Sequence, residues 1–113
     1  MHQRSEELQL LRIFVGESDR FGRRLLYEAL VDLCRREGLA GATVLKGAMG
    51  FGAGSILHSD RYLRLSSDLP VVIEVVDRAE KIEVILPQLE RMLSGGLVTL
   101  ETVQAIRYPA PEL

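Results

Sequence analysis

The run Pro70-Val71-Val72-Ile73-Glu74-Val75-Val76 restricts the fold more than any other segment. It is β-branched, apolar at almost every position and short, which predicts a strand inside a sheet rather than at its edge. Pro70 suits only the entrance of such a strand, because proline has no N–H to give to a ladder. The period then changes at once. Ile82, Ile85, Leu86, Leu89 and Leu93 recur at helical spacing, predicting a helix with one buried stripe. Asp77 and Glu80 have the spacing of a capping box at its start, and Ser94-Gly95-Gly96 marks its end. Pro87 falls inside this helix and predicts a kink, since the carbonyl of Glu83 loses its usual donor.

The first half of the chain repeats the pattern. Residues 8–15 are apolar, broken only by Gln9 and Arg12, and predict a first strand. A polar link over 16–22 leads to Leu26, Leu30, Leu33 and Glu37 on one helical stripe, flanked by Leu25 and Ala29. Gly38 after Arg35-Arg36-Glu37 is a helix stop, with cations placed well for a helix C-terminus. Residues 42–45 predict a second strand running into a glycine cluster, and 102–108 a last one. The order is strand, helix, strand, strand, helix, strand. This predicts an α+β, ferredoxin-like βαββαβ sandwich, with both helices on one face of an antiparallel sheet. The other face has nothing in the chain to cover it, which predicts an oligomer.

Length and composition narrow the function. A chain of 113 residues fits one domain spanning 1–113, with its core over about 8–108, a long polar insertion over 53–68 and a tail over 109–113. Hydrophobic residues make up 47% but aromatic ones only 5%, so the core is aliphatic. Fourteen basic against sixteen acidic residues give a net charge of −2, which argues against a dedicated nucleic-acid binder. A single cysteine, Cys34, excludes an internal disulfide and fits a reducing compartment. The N-terminus lacks the layout of a signal peptide, and no stretch reaches the roughly 20 apolar residues of a membrane helix. The expectation is a cytoplasmic protein.

The middle of the chain resembles the PII signalling proteins. Gly38-Leu39-Ala40-Gly41-Ala42-Thr43-Val44 is similar to their G-[IV]-x-G-x-T-V signature, and Gly50-Phe51-Gly52 to the G-F-G that opens their long T-loop. Leu69-Pro70 and Ile73-Glu74-Val75-Val76 resemble the strand after that loop, and Ala105-Ile106-Arg107 the family's A-I-R. G-A-T-V…G-F-G and D-L-P-V-V-I-E resemble most a PII-like branch, domain of unknown function 190. The resemblance covers about 8–108. It implies a homotrimer that binds an adenine nucleotide or another small ligand between subunits, requires no cofactor, and regulates a protein partner such as a membrane transporter or channel. Three differences accompany it. The link 94–99 has no counterpart of the B-loop lysine that cradles phosphates, the second arginine of I-R-x-R falls at Pro109, and one extra residue lies between Gly41 and Gly50.

The resemblance assigns ligand contact to Thr43, Gly47, Gly50, Phe51, Gly52 and Arg107. The glycines also suit it chemically, because bare backbone N–H groups approach an anion closely; the plainer alternative is a hinge at the start of a loop. Arg61, Tyr62 and Arg64 lie in the long insertion, the expected partner-contacting segment. Arg20, Arg23 and Arg24 sit near the start of the first helix, either holding an anion or forming a solvated patch. Enzyme signals are weak. Cys34 lies among apolar helix residues, His2 is terminal, and His58 with Asp60 does not make a metal-ligand set. Glu74, Asp77 and Glu101 show no pairing along the chain. No catalytic or metal residues are assigned. The alternatives from other classes are a small ferredoxin-like enzyme and a CutA-type metal-tolerance trimer.

Overall fold

The computed structural model describes residues 5–52 and 68–109. Residues 53–67 of the 53–68 insertion, with Arg61, Tyr62, Arg64 and His58, lie outside the described residues, as do His2 and residues 110–113 of the 109–113 tail. Four strands form the main sheet: β1 (Ser5–Gly16), β4 (Thr43–Lys46), β5 (Pro70–Asp77) and β6 (Leu97–Ile106). Their spatial order is β4-β5-β1-β6, antiparallel at every joint. Two helices, α1 (Leu26–Arg36) and α2 (Ala79–Met92), complete the expected βαββαβ order. The run beginning at Pro70 is an inner strand, with β1 on one side and β4 on the other.

The sheet's period of two separates its faces. Leu11, Ile13 and Val15 of β1 and Val71, Ile73 and Val75 of β5 point to one side and are buried. There they join Leu26, Leu30, Leu33 and Cys34 of α1 and Ile82, Ile85 and Leu89 of α2 in a single core. Burial at this level contributes about 1.5–3 kcal/mol per large aliphatic side chain. Among the described residues, no helix packs on the opposite face. Across its four strands the register aligns Leu45, Val72, Phe14 and Leu97 in one row, and Thr43, Glu74, Arg12 and Thr99 in the next. Leu45 and Leu97 remain 48% and 58% exposed, so this face is apolar and left uncovered by the described residues.

Helix α1 ends as expected. Gly38 takes φ +77, its N–H donates to the carbonyl of Arg35 and the N–H of Leu39 to that of Cys34. This is a Schellman motif, sealed by Leu39 folding back into the core. Helix α2 begins differently. Its N-cap is Arg78, with no side-chain cap bond, and Asp77 is the last residue of β5. The Asp77 carboxylate is buried and accepts hydrogen bonds from the N–H of Ala40 (2.9 Å) and of Arg78 (2.7 Å). A long-range latch to the 38–40 turn has taken the place of the capping box. The helix is continuous through Pro87, which like Glu83 is exposed, so the carbonyl that loses its donor lies on the solvent side.

Other limits differ from the expectation, β1 starting at Ser5 rather than Leu8 and β6 ending at Ile106 rather than Tyr108. Strand β6 starts at Leu97, not Thr102, because β1 offers a partner for its whole length, from Phe14 opposite Leu97 to Ser5 opposite Ile106. The link 16–22 contains a small hairpin, β2 (Arg20–Phe21) with β3 (Arg24–Leu25). Arg20, Arg23 and Arg24 therefore belong to this hairpin rather than to the first turn of α1, and Arg24 bridges to Asp32 at 3.5 Å.

Candidate functional site

Each candidate residue inherits its place from the sheet. Thr43 opens β4 opposite Glu74, on the uncovered face and exposed. Beyond β4 the chain turns at Gly47, whose N–H donates to the carbonyl of Pro70 at 2.7 Å. Gly50 has φ +148, and a Cβ there would stand 2.9 Å from Cγ of Pro70, so both conformation and space call for glycine. Among the described residues nothing would stand within 4 Å of a Cβ at Gly52, and Phe51 is 70% exposed. The glycine cluster is thus pinned at its root and open at its tip.

The turn after β1 grips both stems flanking 53–67. The N–H of Glu17 donates to the carbonyl of Leu69 (2.8 Å), and that of Ser18 to Oδ1 of Asp68 (3.3 Å). The Glu17 carboxylate pairs with Lys46 at 2.9 Å, and Lys46 also lies over the Tyr27 ring, 5.4 Å from its centroid. The hydrogen bond to Glu17, then the one to Tyr27, raises the lysine pKa, keeping it charged and engaged.

Arg107 lies elsewhere. It follows the end of β6, beside the start of β1, and its Nε pairs with Glu6 at 2.7 Å. Strand β1 is 12 residues long, and its far end faces Pro70 and hence Gly47. At about 3.3 Å per residue, Arg107 and the glycine cluster are separated by roughly 40 Å along the sheet. They also lie toward opposite edges of it. One chain does not bring the six candidate residues together.

Other groups converge where the sequence showed no pairing. Arg12, at the middle of β1 on the uncovered face, binds Glu74 (2.8 Å) and Glu101 (3.4 Å). The Glu74 hydrogen bond, working against desolvation, raises the arginine's pKa above its ordinary value. The signal for this cluster was an outward-facing arginine on one strand and an outward-facing glutamate on its neighbour, readable only once the register is known. Around Arg107, a cleft of about 390 Å³ is lined by Glu6, Gly38, Ala40, Asp77, Arg78 and Lys81. Cys34 is buried in the core, and burial pushes its thiol up to about 11. Among the described residues, no three His, Cys, Asp or Glu side chains stand together as a metal site, and no helix is long and apolar enough to cross a membrane.

Comparison with known proteins agrees with this architecture. Residues 8–105 match the family DUF190, described as Uncharacterized ACR. A UPF0166 protein of Methanocaldococcus jannaschii is 39% identical over 93 residues, 81% of this chain and 85% of that protein. A UPF0166 protein of Aquifex aeolicus is 37% identical over 98 residues, 87% of this chain and 92% of its own. Among solved structures, a PII-like signaling protein of Thermus thermophilus superposes with a TM-score of 0.65 at 21% identity, covering 92% of this chain and 94% of that one. CPII of Thiomonas intermedia, bound to ADP and bicarbonate, gives 0.60 at 21% identity, covering 91% and 92%. The fold is PII-like, and the chain belongs to the DUF190 family.

Proposed function

We propose that this chain acts as a single unit, a PII-like regulatory protein. It works as a homotrimer, binds an adenine nucleotide between subunits, and alters the contact of its 53–68 segment with a protein partner, a membrane transporter or channel. The observation that carries this reading is the separation of Arg107 from the Gly47–Gly50–Gly52 cluster. A ligand touching both must lie between two chains, and the uncovered apolar sheet face supplies the surface that brings chains together. CPII, of like fold, has been seen with ADP, AMP and bicarbonate, which supports the same ligand class here.

In this assignment Thr43, Gly47, Gly50, Phe51 and Gly52 of one subunit and Arg107 of the next face the ligand. Arg61, Tyr62 and Arg64 meet the partner. Regulation requires that the ligand favour one state of the segment over another, since equal affinity for both would shift nothing. The role is binding rather than bond chemistry, takes place in the cytoplasm, and needs no resident cofactor. Light scattering and calorimetry test it together: a trimer that binds AMP, ADP or ATP with one site per subunit is expected. A monomer at micromolar concentration, or no heat with any of these nucleotides, refutes it.

A further inference from the structure

The cleft around Arg107 has a charge pattern that the described residues do not balance. Arg12, Arg24, Arg35, Arg36, Lys46 and Arg107 each have a carboxylate partner. Among the described residues Arg20, Arg23, Arg78, Lys81 and Arg91 have none, and of these Arg78 and Lys81 line the same cleft as Arg107. Lys81 is also partly buried. Its Nζ lies 3.4 Å from the point where a Cβ of Gly38 would stand, so the glycine leaves it room beside the 38–40 turn.

The two carboxylates on the wall are already engaged. Asp77 spends its oxygens on the N–H groups of Ala40 and Arg78, and Glu6 is held by Arg107. Three cations against two anions leave the lining formally one positive charge in excess. The Arg107–Glu6 pair is on the surface, and such pairs exchange at little cost. Arg78 and Lys81 stand one helical turn apart at the start of α2. Arg107 comes from the end of β6, so the three cations reach the cleft from two separate elements.

We propose that this cleft binds a phosphate group, held by Arg78 and Lys81 and by Arg107 after it leaves Glu6. The side chains carry this site, not the helix end they flank. It supplies from the other end of α2 the basic groups that the 94–99 link lacks. That the phosphate belongs to the nucleotide bound between subunits rests on the function proposed above; the alternative source is a free phosphate ion or phosphorylated metabolite, held by the same chemistry.

The test is calorimetry of ADP, adenosine and pyrophosphate with the full chain and with the double variant Arg78→Gln/Lys81→Gln, whose fold is checked by circular dichroism. Loss of two charge-assisted contacts predicts binding of ADP and pyrophosphate weakened about tenfold or more, with adenosine unaffected. Glu6→Gln frees Arg107 and is expected to tighten pyrophosphate binding several-fold; unchanged affinity would remove Arg107 from the site. If the double variant binds ADP as the parent does, the cleft assignment falls while the nucleotide reading stands. If the parent binds pyrophosphate but not ADP, and the variant loses it, the cleft stands with a free phosphate as its ligand and the nucleotide reading falls. Binding of neither by the parent overturns both.

Discussion

Replacing Asp77 by alanine should cost this chain a large part of its stability, for reasons written in two hydrogen bonds. Asp77 is 3% exposed, and its carboxylate accepts from the N–H of Ala40 and of Arg78. Hydrogen bonds to a charged acceptor contribute about 1.5–3 kcal/mol each, and a buried donor left alone costs a similar amount. Ala40 is exposed enough for water to replace part of the loss, which brings the expected total to about 3 kcal/mol. Unfolding entropy of about 2.1 cal/mol/K per residue, over 113 residues, is about 240 cal/mol/K, so the melting temperature should fall by about 12 °C. Asp77→Ser separates the latch from an ordinary helix cap. Serine caps as well as aspartate does, but its single short hydroxyl does not serve two amides from different elements. The serine variant should therefore melt close to the alanine one, measured by calorimetry at one fixed protein concentration because assembly also shifts the midpoint. A serine variant as stable as the parent, or an alanine variant within about 3 °C of it, would refute the latch.

Cys34 gives a pH signature: its folded-state thiol titrates near 11, against an ordinary value of 9.0. Ionisation is then easier in the unfolded chain, so the thiol's contribution is constant below about pH 8 and stability falls from about pH 9 to about 11 by about 2 kcal/mol. Denaturant titrations across that range should show the decline, and Cys34→Ala should flatten this part of it; an identical slope in both proteins would contradict the assignment. Gly50→Ala forces a Cβ to within 2.9 Å of Pro70 at a backbone angle side chains rarely adopt. It should cost about 1–2 kcal/mol, read as a lower urea midpoint with unchanged m-value. Arg12→Gln leaves Glu74 and Glu101 facing each other without a cation. Its melting temperature should drop at low ionic strength and approach the parent's in high salt, whereas a salt-independent difference would argue for packing instead.

How much of this was legible in the sequence depends on the range over which each signal acts. Strand β5, the stripes of α1 and α2, and the Gly38 stop are set by neighbours a few residues away, and the sequence pattern locates all of them. Asp77 shows where that logic ends. Its spacing to Glu80 is that of a capping box, yet Ala40, distant along the chain, competes for the same carboxylate and prevails because the site is buried. The start of β6 is similar: Leu97 to Glu101 is too weakly patterned to declare a strand, and becomes one because β1 extends far enough to pair with it. Arg78 and Lys81 carried no signal at all, since two cations three residues apart on a helix are ordinary until a third arrives from β6.

The candidate ligand residues were read from words in the sequence, and words carry no distances. The sheet supplies them, placing Arg107 and the glycine cluster at opposite ends of a 12-residue strand. Two explanations could reconcile one functional vocabulary with that separation: either the residues serve unrelated purposes, or the functional unit is larger than the chain. The uncovered face distinguishes them physically. Leu45, Val72, Phe14 and Leu97 form an apolar row across all four strands, beside the half-exposed Arg12–Glu74 pair, and a lone chain gains nothing by presenting such a row to water. Leu45→Lys with Leu97→Lys puts two cations on that row while leaving the helix-side core intact. If the larger unit is real, this variant stays folded, falls to a monomer in light scattering, and loses nucleotide binding in the same step although every candidate ligand residue is unchanged. A monomeric variant that still bound nucleotide at the parent's affinity would return the site to the single chain and undo the reasoning.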